Sequence, residues 1–61
     1  MAGFTTPAQH RVLTALLDGP KAAIDWRVGP SLLKRNLIRR NKNMDWELTY
    51  AGRIVMAPYK V

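Results

Sequence analysis

The chain has 61 residues and no cysteine, and its ten Lys and Arg against four Asp and Glu give a net charge of +6. A chain of this length forms one domain, so we expect residues 1–61 to share a single small core. Disulfides and thiolate metal sites are excluded, and no apolar run approaches the ~20 residues of a membrane-spanning helix. The excess of positive charge indicates an anionic partner, nucleic acid first, and no membrane is expected. Without cysteine or an export signal, the expected location is cytoplasmic.

The first predicted element is a helix that begins after Thr6. Thr6 is suited to cap it, Pro7 to occupy its first position, and Gln9 to return a capping-box hydrogen bond. Apolar residues at helical spacing then predict a buried face made of Val12, Leu13, Leu16 and Leu17. Gly19 followed by Pro20 predicts the end of this helix.

The segment 21–28 fits two structures. Ile24 and Val28 are four residues apart, as on a helix, yet Ile24, Trp26 and Val28 also alternate with charged residues, as in a strand. We favour a short strand, because β-branched and aromatic residues fill the alternating positions; a short helix is the alternative. Trp26 and Trp46 are both in phase with apolar neighbours, so we expect both to pack in the core.

Residues 29–31 predict a turn into a short second helix of about two turns. At 100° per residue this helix separates a core face from a solvent face. The core face carries Leu32 and Leu33, and the solvent face carries Ser31, Lys34 and Arg35. Asn36 is predicted to leave the helix in the left-handed conformation, which Asn accepts more readily than other non-glycine residues.

The rest of the chain predicts a β-hairpin and a last helix. Residues 37–40 and 46–48 alternate as strands around the turn-forming residues 41–45, with Trp46 and Leu48 on one face. Thr49 is predicted to cap a helix that Pro58 ends. Its apolar stripe is Ala51, Ile54 and Val55. The elements together predict a small α+β fold.

Three stretches of this pattern resemble prokaryotic and phage winged-helix DNA-binding proteins. L-x-x-R-N-L-I at 32–38 and W-E-L-T-x-x-G at 46–52 are similar to the family form L-x-x-R-G-L-I followed by L-T-x-x-G, and T-P-A-Q-x-x-V-L-x-x-L at 6–16 resembles the family's first helix. The resemblance implies a winged helix-turn-helix fold. It also implies that the helix around 31–35 approaches the major groove and that the hairpin is a wing over the DNA backbone or minor groove. The chain departs from the family at Asn36, where Gly is usual, and in the short stretch between Gly19 and Pro30, which leaves little room for a full helix-turn-helix.

Six side chains are the candidate DNA contacts. Ser31, Lys34 and Arg35 are assigned to the groove, and Arg39, Arg40 and Lys42 to the phosphate backbone. Lys and Arg contact guanine edges as well as phosphates. Like charges on a hairpin oppose strand pairing, so we expect the hairpin cations to serve phosphate contact. Neutralising about five phosphates predicts a log–log salt slope near −4 to −5.

Nothing in the sequence predicts an enzyme, a cofactor or a metal site. His10 stands without cysteine or a second histidine, the four carboxylates are scattered, and no Gly-rich phosphate loop is present. A boundary position on the first helix is expected for His10. Apolar residues near the two ends either close the core or form a homodimer surface. They are Phe4, Tyr50, Met56 and Tyr59.

These features predict duplex DNA binding of modest sequence preference, as in a transcriptional regulator or a recombination accessory factor. The alternative is a protein-interaction module, for example a phage-encoded inhibitor or adaptor that docks on a host protein and uses the basic hairpin for steering. A third option is non-specific DNA coating, which competition between unrelated DNA sequences separates from the first.

Overall fold

A computed structural model of the chain describes residues 5–59. The elements in chain order are α1 (Pro7–Leu17), α2 (Gly29–Lys34), β1 (Ile38–Arg40), β2 (Trp46–Leu48), α3 (Tyr50–Met56) and a 3₁₀ turn (Ala57–Tyr59). β1 and β2 pair antiparallel, with Ile38 opposite Leu48 and Arg40 opposite Trp46. The α+β prediction is confirmed, because residues 5–59 form three α-helices and one two-stranded hairpin. None of the helices within this range is long and apolar enough to span a bilayer.

The start and end of α1 are as predicted. Thr6 Oγ1 accepts the Gln9 backbone N–H at 3.1 Å, and Gln9 Oε1 accepts the Thr6 N–H at 3.0 Å, so both halves of the capping box form. At the other end, Gly19 has φ 136° and donates its N–H to the Leu16 carbonyl at 3.1 Å. These interactions join residues three apart in sequence, which is why local pattern was enough to predict them.

The strand that we favoured over 21–28 is wrong. Only Lys21 pairs, in one bridge with Trp46, whose two backbone hydrogen bonds measure 3.0 and 2.7 Å. The helix alternative is not found either, because the chain turns instead at Asp25. The Asp25 carbonyl accepts the N–H groups of Val28 and Gly29, both at 3.0 Å, and this turn leads directly into α2.

One side of every helix and the inner face of the hairpin meet in a single core. Its buried members are Val12, Leu13, Leu16, Val28, Leu32, Leu37, Ile38, Leu48 and Met56. Three side chains that we placed with the core lie elsewhere: Trp26 is 80% exposed, Leu33 45% and Ile54 56%. Trp46 is half-buried and packs against the core, as predicted.

A tight junction joins α2, β1 and the start of α3. Asn36 has φ 60°, which confirms its predicted left-handed conformation. The next residue, Leu37, donates its N–H to Leu32 O at 3.0 Å and accepts the Thr49 N–H at 3.1 Å. Thr49 caps α3 as predicted, because its Oγ1 accepts the Gly52 N–H at 3.0 Å, and the same hydroxyl donates to Asn36 O at 2.6 Å.

The residues near the chain ends divide between the core and the surface. Met56 is fully buried and closes the core, whereas Tyr50 is 80% and Tyr59 57% exposed. His10 is half-buried, as predicted, and its ring meets that of Tyr59 edge to face, with centroids 4.6 Å apart. Phe4 lies outside the described residues.

Replacing Met44 by glycine is expected to stabilise the fold. Met44 has φ 66° and is 62% exposed, so its side chain gains little from packing while its backbone sits in the left-handed region. Glycine adopts this conformation without the steric cost, and we expect Met44→Gly to raise the free energy of unfolding by about 0.5–1 kcal/mol. Urea unfolding followed by tryptophan fluorescence measures this. In the same turn, Asn43 is not among the described residues with positive φ, so Asn43→Gly should give no such gain; equal effects would contradict the explanation.

Candidate nucleic-acid interface

The hairpin carries a shallow basic depression, which we call the hairpin depression. It is lined by Arg39, Arg40, Asn41, Lys42, Asn43 and Glu47 and has a volume of about 430 Å³. The lining thus contains three cations, two amides and one carboxylate. This composition suits an anion such as a phosphate group, which guanidinium, ammonium and amide N–H groups all bind.

Arg39 is held in place by its partner across the hairpin. It lies opposite Glu47 in the antiparallel register, and its Nε donates to Glu47 Oε2 at 2.8 Å. Asn41 Nδ2 donates to the other carboxylate oxygen at 3.4 Å. The Arg39 hydrogen bond, together with that from Asn41, holds the pKa of Glu47 below its ordinary value. The Arg39 side chain is still 67% exposed.

Arg40 lies over the indole of Trp46. Its guanidinium carbon is 4.3 Å from the ring centroid, and its Nη1 donates to the Met44 carbonyl at 2.8 Å. The backbone of Trp46 is bonded to Lys21, so Arg40 and Trp46 form a non-hydrogen-bonded pair, in which cross-strand side chains approach most closely. We had expected hairpin cations to oppose strand pairing. That expectation is wrong for Arg39 and Arg40, because an ion pair and a cation–π contact offset the repulsion.

Lys34 and Lys42 are the most available cations of the predicted set. Both are exposed, Lys34 at the end of α2 and Lys42 in the hairpin turn. Within residues 5–59 neither ammonium group makes a hydrogen bond or an ion pair. Binding an anion at these two positions therefore breaks no existing contact.

Ser31 and Arg35 do not lie on the solvent face where we placed them. Both are half-buried against α1, where they meet Gln9. Ser31 Oγ donates to the Val28 carbonyl at 2.9 Å and accepts from Gln9 Nε2 at 2.8 Å, while Arg35 Nη1 donates to Gln9 Oε1 at 3.3 Å. These bonds tie α2 to α1. The predicted groove set is consequently divided, with Lys34 alone pointing outward.

Three polar residues of this region were not predicted as part of a site. Gln9 had been assigned only to the capping box, and nothing in the sequence signals its second contact with α2. Asn41 and Asn43 line the hairpin depression, and Asn41 Oδ1 holds the turn by accepting the N–H groups of Asn43 at 2.8 Å and Asp45 at 3.1 Å. The Asn-Lys-Asn run that follows two arginines could have predicted the two asparagines as part of this site, because Asn stabilises turns through its side-chain oxygen.

Outside the hairpin depression, the described carboxylates do not cluster as metal ligands do. No group of three or more His, Cys, Asp or Glu that could hold a metal is found among residues 5–59. Asp25 accepts the Arg27 backbone N–H at 3.0 Å and pairs with its guanidinium at 3.3 Å. The backbone hydrogen bond is the main cause of the lowered pKa of Asp25, and the side-chain bond adds to it. Asp25 therefore stabilises the turn before α2.

The chain matches no protein-family model, and comparisons with curated proteins and with solved structures returned no significant match. We therefore infer function from the side chains described above.

Proposed function

We propose that the chain binds duplex DNA through its basic hairpin and the end of α2. The observation that supports this is the hairpin depression, which is lined by Arg39, Arg40 and Lys42 together with two amides. A chain of net charge +6 draws a polyanion to its surface, and phosphates supply the anion that fits this composition. In the proposal Lys34, Arg39, Arg40 and Lys42 contact phosphates, while Ser31 and Arg35 hold α2 against α1.

The order of elements supports a winged-helix assignment, which we also propose. A first helix, a bridging residue at Lys21, a short helix, a hairpin and a last helix follow one another as the resemblance implies. In this assignment Lys21 stands in place of the first strand, the turn at 25–28 replaces a full helix, and the hairpin is the wing. The short α2 then faces the duplex beside the wing.

We further propose that base recognition is modest. The exposed residues of α2 are Pro30, Leu33 and Lys34, so only one of them brings hydrogen-bond donors. The Ser31 hydroxyl already donates to one group and accepts from another. Sequence reading by bidentate contacts, the usual source of discrimination, has few candidates here. A regulator or recombination accessory factor that relies on backbone contacts fits this surface.

A salt titration tests the proposal. Fluorescence anisotropy with a mixed-sequence duplex should show that the logarithm of affinity falls with the logarithm of salt concentration, with a slope of about −3 to −4, because four cations each contribute about −0.9. Unrelated duplexes should differ by less than about tenfold, well below the ~10³–10⁷ of specific regulators. Absence of salt-sensitive affinity at about 50 mM salt or below would overturn the proposal.

A further inference from the structure

A second surface lies between the 21–28 segment, α2 and the hairpin. It is an apolar groove of about 380 Å³, which we call the Trp26 groove, and its apolar lining includes Ala22, Ala23, Trp26, Pro30, Leu33 and Trp46. Its volume is at the low end of the range of ~300–1,000 Å³ found for ligand sites. One or two bulky side chains of a partner would fill it.

The exposed indole of Trp26 is the unusual part of this groove. The chain has only two tryptophans, and this one is 80% exposed although the core of so small a domain needs large apolar side chains. Leu33 beside it is 45% exposed. Exposed apolar clusters of this kind mark contact surfaces more often than single exposed residues do.

The turn around Trp26 holds the indole outward. The Arg27 N–H is bonded to Asp25 Oδ1 and the Val28 N–H to Asp25 O, both at 3.0 Å, so the backbone on the C-terminal side of Trp26 is bonded to Asp25 just before it. Arg27 also pairs with the Asp25 carboxylate. Because the turn is already ordered, binding through Trp26 loses less conformational entropy than binding through a flexible loop.

The positive charge around the groove favours an acidic partner. Arg40 lines it, Lys21 adjoins Ala22, and Lys34 adjoins Leu33, whereas no carboxylate lines it. An occupant with Asp or Glu beside its apolar residue would meet these cations favourably. A second copy of this chain would instead bring the same cations face to face, with +6 on each copy.

We propose that the Trp26 groove docks an acidic segment of a partner protein, with one bulky apolar side chain against Trp26 and Leu33 and carboxylates against Arg40 and the adjoining lysines. Protein docking here goes beyond DNA binding, and the groove shares Arg40 and the adjoining Lys34 with the surface proposed for DNA. A bound partner would therefore occupy two of the four proposed phosphate contacts and leave Arg39 and Lys42, which do not line the groove, to DNA.

Selection from a display library of random twelve-residue peptides tests this proposal. Peptides enriched on the full chain should combine Asp or Glu with Trp, Phe or Leu, and should bind Trp26→Ala at least tenfold more weakly, as expected for a central aromatic anchor. Tyr50→Ala is the matched control, because Tyr50 is also 80% exposed but does not line the groove; it should leave peptide affinity within about twofold.

Each other outcome overturns the proposal. Failure to enrich any acidic peptide, or enriched peptides that bind Trp26→Ala as well as the native chain, would exclude an acidic protein partner at this groove. A dimer in sedimentation that Trp26→Ala dissociates would make a second copy the occupant. A (dT)₁₂ oligonucleotide that quenches Trp26 and displaces the peptides would assign the surface to base stacking. DNA affinity measured on Trp26→Ala separately reports whether the function proposed for the hairpin survives.

Discussion

Replacing Gly52 by alanine is expected to lower the free energy of unfolding by about 3 kcal/mol, at the upper end of the usual cost of overpacking. That is most of the roughly 3–5 kcal/mol that a core of this size supplies. The midpoint of thermal unfolding should fall by about 12–24 °C, since 1 kcal/mol shifts a domain of this length by about 4–8 °C. Circular dichroism during heating measures the shift.

The reason is the approach of α3 to the backbone that precedes β1. A Cβ at Gly52 would overlap the Leu37 carbonyl oxygen and would lie 3.1 Å from the Leu37 carbonyl carbon and 3.2 Å from Leu48 Cδ2. The Leu37 carbonyl cannot turn aside, because it accepts the Thr49 N–H at 3.1 Å. The better helix propensity of alanine, about 1 kcal/mol, is too small to offset this overlap.

Gly29→Ala is the matched control. Gly29 is also buried and also belongs to a helix, but a Cβ there would meet only the Ile24 side chain, with Cδ1 at 3.4 Å and Cγ1 at 3.9 Å, which are ordinary contacts. We expect this variant to be neutral or slightly stabilising. If Gly52→Ala unfolded at the same temperature as Gly29→Ala, the close approach of α3 to Leu37 would not be the reason for glycine at position 52.

Removing the two most available cations is expected to weaken DNA binding at least tenfold at about 50 mM salt and to make the salt slope shallower by about 2. The variant is Lys34→Gln with Lys42→Gln. Neither ammonium group makes a hydrogen bond or ion pair within residues 5–59, so the fold should be unaffected. Arg39 and Arg40 are less suitable, because their loss would also remove the Glu47 ion pair and the Trp46 contact. Anisotropy titrations at several salt concentrations measure both quantities.

Arg11→Gln with Arg53→Gln controls for net charge. Both arginines are exposed, lie on α1 and α3, and make no side-chain hydrogen bond or ion pair within the described chain. The two double variants therefore have equal net charge and differ only in where charge is lost. Equal loss of affinity in both would show diffuse attraction by the whole chain and would contradict contact through the hairpin and α2.

The amino-acid sequence by itself determined the elements that depend on near neighbours. The Thr6 capping box, the Asn36 exit and the Thr49 cap are formed by backbone conformation or by bonds three residues apart, and all three were predicted. The two hairpin strands were predicted from the alternation of apolar and polar residues on both sides of the turn-forming residues 41–45. The sequence indicates Gly52 only through the resemblance to winged-helix proteins, and the close approach of α3 to Leu37 is the physical reason for glycine there.

Only the tertiary structure decided which side chains the surface presents. Ser31 and Arg35 form hydrogen bonds with Gln9, which lies 22 and 26 residues away in the sequence. These bonds hold both side chains against α1, although we had predicted that they face solvent. Apolar and charged residues alternate around Trp26 as they would in a strand. The segment 21–28 nevertheless forms only one bridge, at Lys21, and the turn at Asp25 leaves Trp26 exposed. The periodicity of apolar residues predicts which residues share one face of a helix or strand. Which element packs against that face depends on contacts between elements that are distant in sequence.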